Sequence, residues 1–208
     1  MAEIASDGPR IGPNAVIQVA AATDRLGREV TERLFRAAGL ARYLDTPPQT
    51  MIPVEEVCAL HRELHRAFQP APAEAIFREA GVRTADYLLA HRIPKPVQAV
   101  LKLLPATLAS RLLLTAIARN AWTFTGGGTF AWTAGHPATI TLLDTPIASA
   151  ATPGSSGCCY YAATFERLFR VLVHRDTVVT ETACASTGAE ACRFEIRWRP
   201  GPPVGGPE

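Results

Sequence analysis

Asn120-Ala121-Trp122-Thr123-Phe124-Thr125-Gly126-Gly127-Gly128-Thr129-Phe130-Ala131-Trp132-Thr133 is the stretch in which the apolar residues change period. Upstream they recur at helical spacing; from here on they alternate. Trp122-Thr123-Phe124 and Thr129-Phe130-Ala131-Trp132-Thr133 alternate polar and apolar side chains on either side of three glycines. Thr139-Ile140-Thr141-Leu142-Leu143 follows a turn at Gly135-His136-Pro137. A period of two marks half-buried strands, and the glycines and proline supply the turns. The segment predicts antiparallel strands.

Working back from it, four helices are expected. The first has Asn14 as N-cap and Val16, Val19 and Ala20 on its apolar stripe, and the second carries Leu34 and Phe35 and stops near Gly39. A third follows Pro53 with Val57, Cys58, His61, Leu64, His65 and Phe68 on one face, and a fourth follows Pro72 with Ile76, Phe77, Ala80, Tyr87, Leu88 and His91. Pro94, Pro96 and Pro105 then punctuate the apolar stretch Val97 to Ala118 into a short and a longer helix. Working forward, a helix at about Tyr160 to Val173 precedes a hairpin with arms Thr177 to Cys184 and Cys192 to Trp198. Helices first and antiparallel strands later define an α+β fold, N-terminal helices packed on a C-terminal sheet.

At 208 residues, 48% hydrophobic and 19% charged, the chain suits one domain with ample core material. Residues 1–10 and the Pro/Gly tail 200–208 are expected to be flexible ends around a single domain at 11–199. A net charge of +2 without a basic run argues against nucleic acid as a partner. No apolar run reaches the roughly 18 residues of a spanning helix, and Met1 to Arg10 has no signal-peptide core. The expected location is the cytoplasm.

Four of the five cysteines lie between residues 158 and 208, an arrangement that favours metal binding over disulfides in a reducing compartment. They read Cys158-Cys159, then Glu181-x-x-Cys184, then Cys192 after seven residues. A hairpin turning about Gly188 puts Cys184 opposite Cys192, close enough to share one ion. Glu181, three residues before Cys184, would face the other way on a regular strand, so a metal site requires a bulge or strand end between them. Two buried cysteines that merely pack are an equally good account of the spacing.

Tyr160-Tyr161-Ala162-Ala163-Thr164-Phe165-Glu166, Glu181-Thr182-Ala183-Cys184 and Gly188-Ala189-Glu190-Ala191-Cys192-Arg193-Phe194-Glu195-Ile196 resemble the 4-vinyl reductase domain family. The resemblance is to its bacteriochlorophyll-biosynthesis branch and runs from about Arg10 to Arg199. It implies an α+β fold similar to the small subunits of the TRAPP vesicle-tethering complex. Related domains in phenol-sensing bacterial activators hold zinc through Cys, then Glu-x-x-Cys-x7-Cys. By motif those ligands fall on Cys158, Glu181, Cys184 and Cys192, with Cys159 the alternative at the first position. Four protein ligands make such a zinc structural, and Arg193 is expected to offset its surplus negative charge.

From Tyr87 to Leu143 there is no Asp or Glu, while Arg92, Lys95, Lys102, Arg111 and Arg119 give the segment a formal +5. Most of its leucines are expected in the core, with the basic residues snorkelling outward. The resemblance implies a tetrapyrrole substrate class, for which Trp122, Phe124, Phe130 and Trp132 are candidate stacking surfaces and Arg119 a candidate carboxylate partner. His91 and His136 are candidate axial ligands for its magnesium, ahead of His61 and His65. Peripheral contact with the inner membrane through Val97 to Ala118 is compatible with this.

The family name implies reduction of a vinyl group, which needs a hydride donor such as NADPH. Gly126-Gly127-Gly128 lies between strands and is no dinucleotide fingerprint, and Gly154-Ser155-Ser156-Gly157 reads as a linker and N-cap. The expected function is a tetrapyrrole-binding accessory or carrier protein of bacteriochlorophyll biosynthesis, handling a vinyl-bearing protochlorophyllide-type intermediate beside other enzymes of that synthesis. The alternatives are the vinyl reductase itself and a small-molecule sensor or assembly subunit; a homodimer stays open.

Overall fold

In the computed structural model, residues 8–151 and 158–198 are described. Most of the N-terminal tail (1–7), the expected linker Gly154 to Gly157 and the Pro/Gly tail lie outside them. Strand β1 (Arg10–Ile11) pairs antiparallel with β2 (Ile52–Pro53), a two-stranded ladder with no alternation long enough to read in sequence. Ordered structure thus begins before residue 11: the Val54 amide donates to the Pro9 carbonyl, and the Arg10 guanidinium to that of Met51.

The helices are α1 (Asn14–Thr23), α2 (Arg28–Ala37), α3 (Arg42–Asp45), α4 (Val54–Ala67), α5 (Pro70–His91), α6 (Lys95–Leu103) and α7 (Ala106–Arg119). Asn14 is the first helical residue of α1 and not its cap; Pro13 precedes it with helical angles. Helix α5 starts two residues ahead of Pro72 because a proline in the first turn forfeits no intrahelical bond. Gly39, at φ +72°, follows α2. Trp122-Thr123-Phe124 is not a strand. Ala121–Thr123 form a 3₁₀ turn that continues the end of α7, with Phe124 and Thr125 both donating to the Ala121 carbonyl.

The sheet comprises β3 (Thr129–Thr133), β4 (Ala138–Leu143), β5 (Val178–Ala183) and β6 (Cys192–Arg197), antiparallel throughout in the order β3-β4-β6-β5. The short α8 (Pro146–Ala150) and the longer α9 (Cys159–Leu172) lie between β4 and β5 in sequence. Ala138, Ile140 and Leu142 alternate with half-buried neighbours, as do Cys192, Phe194 and Ile196 with Arg193, Glu195 and Arg197, so one face of the sheet is covered and the other is open.

Helix α9 fills the space between that covered face and α5. Its Phe165 ring meets Phe194 edge-on at 5.7 Å, and Glu166 accepts the Val179 amide at 3.0 Å. On its other side Gly81 lets α5 approach so closely that a Cβ there would lie 2.3 Å from the Tyr160 carbonyl oxygen. Thr164 donates to the Gly81 carbonyl at 3.1 Å, and the hydroxyls of Thr84 and Tyr160 meet at 2.7 Å. Buried residues from Ile11 to Trp198 form one hydrophobic cluster.

Candidate metal centre

Three chain segments converge beside the N-terminus of α9. Cys158 is its N-cap residue, Glu181 and Cys184 belong to β5 and the residue that follows it, and Cys192 opens β6. One sulfur or carboxylate oxygen from each of the four lies within 4.8 Å of all the others. The Cys158 and Cys192 sulfurs are 3.0 Å apart and those of Cys184 and Cys192 3.9 Å.

The hairpin register explains how Glu181 joins. Val179 faces Ile196 and Glu181 faces Phe194, but Ala183 then faces Arg193, so a bulge falls between Glu181 and Ala183. Strand side chains alternate, which would send Glu181 and Cys184 to opposite faces. The extra residue, Thr182, shifts the phase by one and turns both toward the covered face. The bulge required of a metal site is present. Beyond it, Ala185–Thr187 make a 3₁₀ turn and Gly188 closes it at φ +95°.

Cys159 does not take the first position. It sits in the first turn of α9, about 100° round the helix from Cys158, and burial pushes its thiol up to about 12. Arg193 is exposed on the open face, the opposite side of β6 from Cys192, so it does not flank the thiols as expected. The donors that do are local: the Ala185 amide points at the Cys192 sulfur at 3.4 Å, and the Ser186 hydroxyl meets Cys184 at 3.0 Å. A polar turn directly after Cys184 was their only signal in the sequence.

Three thiols and a carboxylate in mutual contact cannot all ionise alone. Hydrogen bonds from Cys158 and Cys192 hold the Cys184 thiol far below its ordinary range, and the same contacts raise Cys158. The cluster therefore shares charge and protons, and a cation would replace the protons. Tetrahedral ligation with bonds near 2.3 Å needs sulfurs spaced by about 3.8 Å, which this cluster meets with small adjustments. The donor set fits a metal ion.

The remaining candidates are dispersed. Phe124 meets Phe130 edge-on at 5.8 Å and also abuts Tyr161 and Phe165, whereas Trp122 is 65% exposed. Phe130 and Trp132 share one face of β3, opposite Leu142 and Ile140. Arg119 is exposed at the end of α7, which packs against β3. His91 stacks on Tyr87 at 4.6 Å, and His136 accepts the Trp198 amide at 3.2 Å. His61 is buried against Phe77 and Tyr160, with His65 on the other side of Phe77. The structure brings Phe124, Phe130 and the face of Trp132 together and leaves His91 and His136 tied elsewhere.

The 4-vinyl reductase domain model matches residues 140–198, the span from β4 to the end of the hairpin that contains all four donors. Fold and site thus define a protein of the 4-vinyl reductase domain class. The chain is 42% identical over 188 residues to the bacteriochlorophyll synthase 23 kDa chain of Cereibacter sphaeroides, covering 90% of each. It is 40% identical over 191 residues to that of Rhodobacter capsulatus, covering 91% of this chain and 88% of that one. The chain belongs to the family of bacteriochlorophyll synthase 23 kDa chains. Among solved structures, an H-NOX protein from S. oneidensis in the Fe(II)NO ligation state is similar in fold at a TM-score of 0.57 and 9% identity, covering 91% of this chain and all of that one.

Proposed function

We propose that the protein is a tetrapyrrole-binding accessory or carrier protein of bacteriochlorophyll biosynthesis. It handles a vinyl-bearing protochlorophyllide-type intermediate and passes it to other enzymes of that synthesis. The observation that supports this is similarity along nine-tenths of the chain to proteins named as chains of bacteriochlorophyll synthase. A small chain without a dinucleotide fingerprint suits carriage better than hydride transfer. Its work lies in the cytoplasm beside the inner membrane.

The metal is zinc and its role is structural. Three sulfurs and one carboxylate are a zinc donor set, and four protein ligands leave no position for a substrate. The ion joins the start of α9 to the last hairpin.

The pigment lies against β3, with Phe130 and Trp132 offering ring faces and Arg119 meeting a propionate. Trp122 and Phe124 flank this surface, and an axial histidine, His91 or His136, would have to leave its present partner.

Purified protein incubated with divinyl protochlorophyllide, with and without NADPH, tests the reading. A spectral shift and tryptophan quenching without turnover are expected, weakened by Trp132→Ala and Arg119→Ala. Turnover with NADPH would make the protein the vinyl reductase itself. Affinity unchanged in both variants would place the pigment elsewhere.

A further inference from the structure

Helices α6 and α7 carry apolar side chains that the fold leaves uncovered. Leu103 is 86% exposed and Val100 55%, while Leu108 and Leu112, one turn apart on α7, are 45% and 46% exposed. With Val97 and Trp122, six of the eight large hydrophobics exposed among the described residues fall between residues 97 and 122. Exposed apolar residues scattered singly need no explanation, but a cluster of them marks a contact surface.

The charges of the same surface have no counter-ions. Arg92, Lys95, Lys102, Arg111 and Arg119 are all exposed, and none makes an ion pair among the described residues. Eleven arginines elsewhere do. Between Tyr87 and Leu143 the chain offers no acid to pair with them. Where Lys102 borders the end of α9 in a shallow depression, the acids are already engaged: Glu166 with Arg170, Asp176 with Arg175 and His174.

We propose that the α6–α7 face docks on the surface of an anionic lipid bilayer. Protein partners are usually matched by a pattern of both signs. A face with cations only, interleaved with leucines and valines and ending in an exposed tryptophan, matches a surface that is uniformly negative outside and apolar beneath. Leu103, Leu108 and Leu112 enter the headgroup boundary, Lys and Arg stems lie along it, and Trp122 sits at the interface. No helix among the described residues is long and apolar enough to cross a membrane, so the contact is peripheral. The inference goes beyond carriage and needs no pigment.

Vesicles of phosphatidylcholine, with and without about 30% phosphatidylglycerol, test it on the full-length protein without pigment. Binding is expected to the anionic vesicles only, weakening as salt rises. Lys102→Ala with Arg111→Ala should weaken it by about twenty-fold, at about five-fold per cation. Leu103→Glu should weaken it by at least about ten-fold. Both variants should keep the wild-type circular dichroism, and brominated lipid should quench wild-type fluorescence more than that of Trp122→Phe. Failure to bind, equal binding to neutral vesicles, or binding indifferent to these variants overturns the proposal. So does a dimer in light scattering that Leu103→Glu dissociates, which would assign the face to a second copy of the chain.

Discussion

His61 shows how one buried side chain ties stability to pH. Its ring is 1% exposed, and desolvation lowers its pKa from 6.5 to about 4, although a contact with the Ala15 carbonyl at 3.4 Å opposes the shift. Because the folded pKa lies below the unfolded one, the unfolded chain binds more protons between them. This contribution is complete above pH 6.5 and is lost as pH falls toward about 4, by about 3 kcal/mol in all. Chemical unfolding at pH 7, 5.5 and 4.5 should show a flatter dependence in His61→Gln; parallel curves would assign the acid sensitivity to other groups. Cysteines separate in the same way. Cys184→Ser should cost more than about 3 kcal/mol by disabling the metal centre. Cys58→Ser should cost only about 1 kcal/mol, since Cys58 does no more than donate to the Pro146 carbonyl in the core. Equal costs in urea unfolding would remove the special standing of the cluster.

At the scale of elements, two contacts set the architecture. Replacing a helical glycine by alanine ordinarily stabilises by about 1 kcal/mol. At Gly81 the opposite is expected. A methyl group 2.3 Å from the Tyr160 carbonyl must force α5 and α9 apart, and overpacking costs about 1–3 kcal/mol, outweighing the propensity gain. A higher urea midpoint in Gly81→Ala would show that the interface yields freely. The other contact is the bulge. Deleting Thr182 restores plain alternation and sends either Glu181 or Cys184 to the open face. Zinc per chain, about one in the wild type, should then fall well below half, while the hairpin still forms. Full zinc content in the deletion would mean that Glu181 is dispensable.

Across the whole molecule, the metal centre lies at one end of α9 while the core runs the helix's full length. Chelation should therefore loosen one region before it unfolds the chain. A strong chelator is expected to lower the melting temperature by about 5–10 °C. Faster amide exchange should be confined at first to the start of α9 and the β5–β6 hairpin. Uniform acceleration would show that the ion supports the entire fold.

The sequence by itself determined the element types, since period and turn residues are local: α2, α4, α6, α7, β3, β4, α9 and the last hairpin all follow from them. It also determined the donor residues through their spacing, and the need for a bulge, since side-chain phase along a strand is arithmetic. Trp122 to Phe124 misled because three alternating residues are too few to distinguish a strand from a turn that extends α7. Only the tertiary structure decided between Cys158 and Cys159, because adjacent helical residues differ by direction alone and the sheet sets which direction matters. It turned Arg193 away and brought Ser186 and the Ala185 amide in, as the pairing partner and not the neighbour in sequence fixes which face of a strand a residue occupies. It likewise separated the leucines of α6 and α7 into buried and exposed, because hydrophobicity is a property of the residue and burial a property of what packs against it.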